Sequence, residues 1–176
     1  MKKMIAFVLV LAVGGLFLAA TQTTQKPVGF KKLQEFLPKI DLDGFRRLKP
    51  GGSTSSAMGM STSEATLTYS KSEEVSIEVK ISDIAGVPFA QMGASMIGMT
   101  EFENETETGY EKSVKIQGFA GTEKADNTED TKSCEISLFV GNRFMVELRG
   151  TGTNDAALLH KLVNDMKLGD LSKVTE

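Results

Sequence analysis

One cysteine and one histidine in 176 residues exclude a good deal of chemistry. A single thiol, Cys134, leaves no partner for an internal disulfide. The fold must therefore rest on its apolar core, and Cys134 is expected as a buried structural thiol. One imidazole and one thiol do not supply the three or four N/S ligands that zinc needs. A Ser/His/Asp relay would have to use His160, yet no GxSxG or comparable strained turn presents a nucleophile. On the last amphipathic segment His160 falls on the polar side, so it reads as a surface residue.

A net positive charge is also lacking. Twenty Lys and Arg against 23 Asp and Glu give a formal net charge of −3. General nucleic-acid binding and electrostatic docking on anionic lipid both need the opposite sign. The acidic residues lack calcium-loop spacing: Asp41 and Asp43 precede Gly44, but no third ligand or closing Glu follows at the required distance. Glu101, Glu103, Glu105 and Glu107 alternate on what reads as a solvated loop or helix end. No metal site, cofactor or catalytic residue is assigned, and the chain shows no internal repeat.

What is present is ordinary globular material, 40% hydrophobic and 24% charged, far from the signature of disorder. The first twenty residues differ. Lys2 and Lys3 precede an apolar run from Met4 to Ala20 that ends in small residues, the pattern of an export signal. Retained, the run would sit at the low edge of spanning length and anchor the chain in a membrane. No cysteine lies near its end, so a lipid-modified N-terminus is not expected. Residues 21–27 read as a polar tether, 28–171 as one domain and 172–176 as a polar tail.

Within the domain the periodicity changes several times. Phe30, Leu33, Phe36 and Leu37 form one stripe of a short helix that Pro38 ends. Gly51–Ser63 is rich in Gly and Ser, which favours a loop over a pair of edge strands. Ala65, Leu67 and Tyr69, then Val75, Ile77, Val79 and Ile81, alternate with polar residues: strands with one covered and one wet face, hence an antiparallel sheet. After Pro88, the residues Phe89, Met92, Gly93, Met96 and Ile97 follow helical spacing. Tyr110, Val114 and Ile116 resume the alternation, with Lys112 out of pattern. The polar stretch from Thr122 to Ser133 reads as a loop, or as a strand end and a loop. Leu158, Leu159, Leu162, Val163 and Met166 form the stripe of a closing helix, capped by Thr153 or Asn154 and ended by Gly169.

SLFVGNRFMVELRG, between Ser137 and Gly150, reads as a hairpin whose register follows from its buried face. A two-residue loop would mix charge with core. A three-residue loop, Gly141-Asn142-Arg143, opposes Val140 to Phe144, Leu138 to Val146 and Ile136 to Leu148. The other face then pairs Glu135 with Arg149 and Ser137 with Glu147, and leaves one apolar pair, Phe139 with Met145. A covering segment would bury that pair; left open, it would be a patch for a partner.

Methionine is the remaining signal. Met92, Met96 and Met99 share one helical side, and Met58 and Met60 lie in the Gly/Ser stretch. Thioethers suit Cu(I), but they also fill gaps against a sheet, and the stripe overlaps the packing face.

VGNRFMVELRGTG followed by LLHKLVNDMKL resembles the final hairpin and helix of the PsbP-like fold. It is also similar to small exported bacterial proteins of unknown function with a VG-x-RF-x-V hairpin. The resemblance spans about two thirds of the chain and carries no functional residue. It implies a central antiparallel sheet with helices packed on it.

The expected architecture is α+β: that sheet, with a short N-terminal helix, a Met-bearing middle helix and a C-terminal amphipathic helix packed on it. The expected role is an exported, periplasmic or secreted, non-catalytic binding or scaffolding domain of the cell envelope with an unnamed protein partner. A carrier of a small apolar ligand or of Cu(I) is the alternative, and a hydrolytic enzyme a distant third.

Overall fold

The structure is a computed structural model that describes residues 26–57, 60–86, 101–128 and 131–175. Among the described residues nine strands form one sheet: β1 (Arg46–Arg47), β2 (Gly51–Ala57), β3 (Met60–Ser70), β4 (Ser76–Asp83), β5 (Glu103–Thr106), β6 (Gly109–Ile116), β7 (Phe119–Asn127), β8 (Lys132–Val140) and β9 (Phe144–Thr151). Their order is β1-β3-β4-β9-β8-β7-β6-β5, with β2 also paired to β3, and every pairing is antiparallel. The described helices are few and short: α1 (Phe30–Leu33), which runs into a 3₁₀ turn (Gln34–Phe36), α2 (Ala156–Asp165) and α3 (Leu168–Leu171). Among the described residues the molecule is dominated by its sheet, and no helix is long and apolar enough to cross a membrane.

Alternation produces the core. Ala65, Leu67 and Tyr69 of β3 share the inner face with Ile77, Val79 and Ile81 of β4. Val146 and Leu148 of β9 and Ile136 and Leu138 of β8 continue it. All are at most 1% exposed. Leu33 and Leu37 cover this face from the N-terminal side; Leu159, Leu162 and Val163 of α2 cover it from the other. Burying those three α2 side chains contributes about 1.5–3 kcal/mol each, as an upper bound. The helix begins one residue later than expected, with Asp155 as N-cap accepting from the Ala157 N–H at 3.1 Å. It also ends earlier: Met166 is extended, and Gly169 lies inside α3 instead of terminating α2. The apolar stripe had concealed this break, because Met166, Leu168 and Leu171 remain buried across it.

The tight turns match their residues. Gln117-Gly118 joins β6 to β7 with φ of 50° and 89°, the left-handed pair of a two-residue hairpin. The β8–β9 loop is Gly141-Asn142-Arg143, and the register Val140–Phe144, Leu138–Val146 and Ile136–Leu148 is the expected one.

Two stretches are strands where the expectation was a loop for one and a loop or helix end for the other. Gly51–Ala57 pairs along β3 instead of hanging free. Its hydroxyls explain this: Thr54 with Ser63 at 2.8 Å, Ser55 with Thr62 at 3.2 Å and Ser56 with Ser61 at 2.7 Å. Such cross-strand pairs contribute about 0.2–1 kcal/mol each and offset the glycine entropy at Gly51 and Gly52. Just before it, the edge chain takes four steps from Arg47 to Gly51 while β3 takes three from Tyr69 to Thr66, which is a β-bulge ending at Pro50. The acidic run is likewise an edge strand, β5, with every residue exposed. The polar stretch from Thr122 continues β7 to Asn127.

The expected export signal, the tether up to Gln25, and the Met-bearing helix with Met92, Met96 and Met99 lie outside the described residues, as do Met58 and the Met60 side chain.

Candidate functional site

Phe139 and Met145 stand opposite each other on the outer face of the β8–β9 hairpin, and Met145 also faces Ser82 of β4. Both are half-buried. The tip beyond them is held from the inner side. Gly141 and Asn142 adopt left-handed φ of 62° and 54°, and a Cβ on Gly141 would lie 2.8 Å from Ser172, just after α3.

Arg143, the third loop residue, turns inward instead of facing solvent and is 8% exposed. Its Nε donates to both Asp83 oxygens at 3.1 and 3.0 Å, and its Nη2 donates to Oδ2 at 2.8 Å. Asp83 also accepts the Val28 N–H at 2.7 Å and the Ala85 N–H at 3.0 Å. Arg143 Nη2 reaches the Lys26 carbonyl at 3.0 Å. One buried ion pair thus ties the start of the domain to the end of β4 and to the hairpin tip.

A second polar cluster interrupts the inner face. Glu123 of β7 is 3% exposed. One of its oxygens accepts from Tyr110 Oη at 2.6 Å and lies 3.4 Å from Lys112 Nζ; the other is 2.6 Å from His160 Nε2. The β6–β7 register puts Tyr110 and Lys112 on this face, and α2 brings His160 over it. Lys112 also sits over the Tyr110 ring, 4.9 Å from its centroid. Burial alone would raise the Glu123 pKa. The hydrogen bonds from Tyr110 and His160, with the charges of His160 and Lys112, outweigh burial and hold it below the ordinary value. Burial and the Glu123 carboxylate push Tyr110 up to about 12. Cys134 is buried as expected, and burial pushes its thiol up to about 11, so it is no ready nucleophile.

His160 is therefore half-buried and bonded rather than a free surface residue. A carboxylate holding an imidazole is the orienting half of a nucleophilic relay. Among the described residues, however, no hydroxyl or thiol is bonded to the ring's other nitrogen. What the cluster does physically is brace α2 against β6 and β7. The sign in the sequence was Lys112, out of pattern on its strand because Glu123 faces it.

Among the described residues no three His, Cys, Asp or Glu side chains gather as metal ligands. A hollow of about 670 Å³ beside β6 is lined by the charged Glu101, Glu103, Lys112 and Lys115 and by the apolar Phe102, Val114 and Ala120.

The two ends of the sheet contrast most. At one end β5 exposes Glu103 and Glu105, with Glu101 and Glu107 beside it, all exposed. Charge on an edge discourages pairing with another chain. At the other end all seven residues of β2 are exposed, and none is charged, large or proline. From α1, the Phe30 N–H donates to Thr54 Oγ1 at 3.2 Å, and from the following turn Gln34 Nε2 donates to the Gly51 carbonyl at 2.8 Å. No described strand pairs with the outer side of β2. Strand alternation leaves roughly half of its backbone groups directed outward there. Compared with protein-family models, curated proteins and solved structures, the chain matches none.

Proposed function

We propose that this chain is an exported, non-catalytic binding or scaffolding domain of the cell envelope, and that the edge strand Gly51–Ala57 is its docking element. The observation that carries the reading is the contrast between the edges: β5 is guarded by glutamates, whereas beyond Arg46, Arg47 and the bulge at Pro50 all seven residues of β2 are exposed and uncharged. An uncharged stretch of edge is a template for strand addition, in which backbone hydrogen bonds supply the affinity and small side chains leave room for approach. Each such bond contributes about 0.5–1.5 kcal/mol net. The basic start and apolar run from Met4 to Ala20 support export, with membrane contact only if that run is retained. The net negative charge supports a protein partner and not nucleic acid. The finer architecture belongs to the same proposal: an α+β domain similar to the PsbP-like fold, with the Met-bearing segment as a helix on the sheet.

A photoreactive residue placed at Ser55 in the producing cell tests the reading, with one at Asn104 on β5 as its control. Covalent protein adducts at Ser55 and none at Asn104 are expected. Equal labelling at both, or none at Ser55, would remove β2 as the docking element. Phe139 and Met145 form the alternative surface, favoured by their in-register pairing on the outer face. Adducts that survive blocking of β2 but vanish in Phe139→Ser would move the proposal there.

A further inference from the structure

We infer that the strand docking on β2 is β2 of a second copy, so that two chains join edge to edge about a twofold axis into one continuous sheet. This rests on the reading above, that β2 is the docking edge, and adds the identity of the occupant.

Three features of the strand point to itself. The first is its side-chain chemistry. Within the molecule β2 already pairs with a hydroxyl-bearing segment, Ser61-Thr62-Ser63, through bonds of 2.7–3.2 Å. A second β2 offers the same array in Ser53, Thr54, Ser55 and Ser56. The second is charge. Two copies of a chain with formal net charge −3 repel, and contact is cheapest where neither carries charge. An equivalent contact through β5 would set Glu103 and Glu105 of one copy against those of the other. The third is size. With the axis near Thr54, Gly51 and Gly52 of one copy come opposite Ala57 and Ser56 of the other, so small residues meet small ones. Thr54 pairs with its own equivalent. The contact is isologous and closes on itself, the commonest arrangement in soluble oligomers, and it removes the open edge.

The test is sedimentation equilibrium of the full protein as the cell processes it, over a wide concentration range. The parent is expected to dimerise. Ser55→Lys with Ala57→Lys puts four lysines on one face of the joined strands, the two at position 55 diagonal to each other across the axis, and should raise the dissociation constant roughly tenfold. Ser55→Glu with Ala57→Glu should do the same, and mixing the two variants should restore association as a heterodimer. Neither substitution meets a charge on β3, where the partners are Thr62 and Met60. Unchanged thermal unfolding of each separate variant shows that the fold is intact, and the mixing arm guards against a variant that merely misfolds. A parent that stays monomeric throughout, or a lysine variant that dimerises as the parent does, overturns the inference. If a monomeric parent still yields adducts to other proteins at Ser55, the docking edge stands and only its occupant is wrong.

Discussion

Arg143 and Asp83, 60 residues apart in the chain, meet as a two-pronged buried ion pair in which the carboxylate is wholly inaccessible. The arginine comes from the tip of a surface hairpin, and the aspartate from the last residue of β4. Removing Arg143 leaves a buried charge without its counterion. Arg143→Leu should destabilise the fold by about 3–5 kcal/mol in urea unfolding. Replacing both residues by Leu should recover only part of this, because the Val28 N–H loses its acceptor at 2.7 Å. A single variant within 1 kcal/mol of the parent, about the size of an exposed pair, would show that this one is not desolvated.

Glu123 contributes to the acid side of stability. Its folded carboxyl is held below the ordinary 4.5, so it gives up its proton more readily folded than unfolded. The stabilisation is present above about 4.5 and is lost as pH falls through the lower folded value. Glu123→Gln should be less stable at neutral pH and should lose stability less steeply on acidification. Stability profiles of parent and variant that run parallel below the ordinary carboxylate range would contradict this.

Tyr110 governs part of the alkaline side. Its phenol is pushed from 10.0 up to about 12, so stability present below pH 10 is lost as pH rises towards 12. Cys134, pushed up from 9.0 to about 11, contributes to the same limb. Tyr110→Phe should therefore soften the alkaline loss without abolishing it. The tyrosinate absorbance of the folded parent should lack a component that titrates at the ordinary value for Tyr110. Such a component would remove the proposed coupling to Glu123.

Gly150 is required by its neighbour. It lies opposite Cys134, and a Cβ there would approach Cys134 Sγ to 2.7 Å. Gly150→Ala should cost about 1–3 kcal/mol by overpacking. Cys134→Ala in that background should recover part of it, a coupling that a double-mutant cycle measures. Additive losses would place the strain elsewhere, for example against Thr153.

The sequence made legible whatever depends on one strand and its own period. Ile77, Val79 and Ile81 alternate cleanly and are wholly buried. The β8–β9 register followed because only one loop length keeps Ile136, Leu138 and Val140 opposite apolar residues. What stayed hidden depends on what a second segment supplies. Gly51–Ala57 has a loop's composition and becomes a strand by pairing along β3, where Ser61, Thr62 and Ser63 supply matching hydroxyls. The acidic β5 looks too charged for a strand, yet an edge accepts such residues. Glu123 and His160 lie 37 residues apart, and Arg143 read as an ordinary loop residue because nothing local marks Asp83 as its partner. The proposed docking edge stayed hidden for the same reason as the strand that forms it.

Amide hydrogen exchange across Gly51–Ala57 tests the central claim most directly, comparing the protein in its native envelope fraction with purified protein at high dilution. A docking edge should have slow, protected outward amides in the envelope fraction that become fast on dilution, while β5 exchanges alike in both. Fast exchange of Gly51–Ala57 in both preparations would contradict the account.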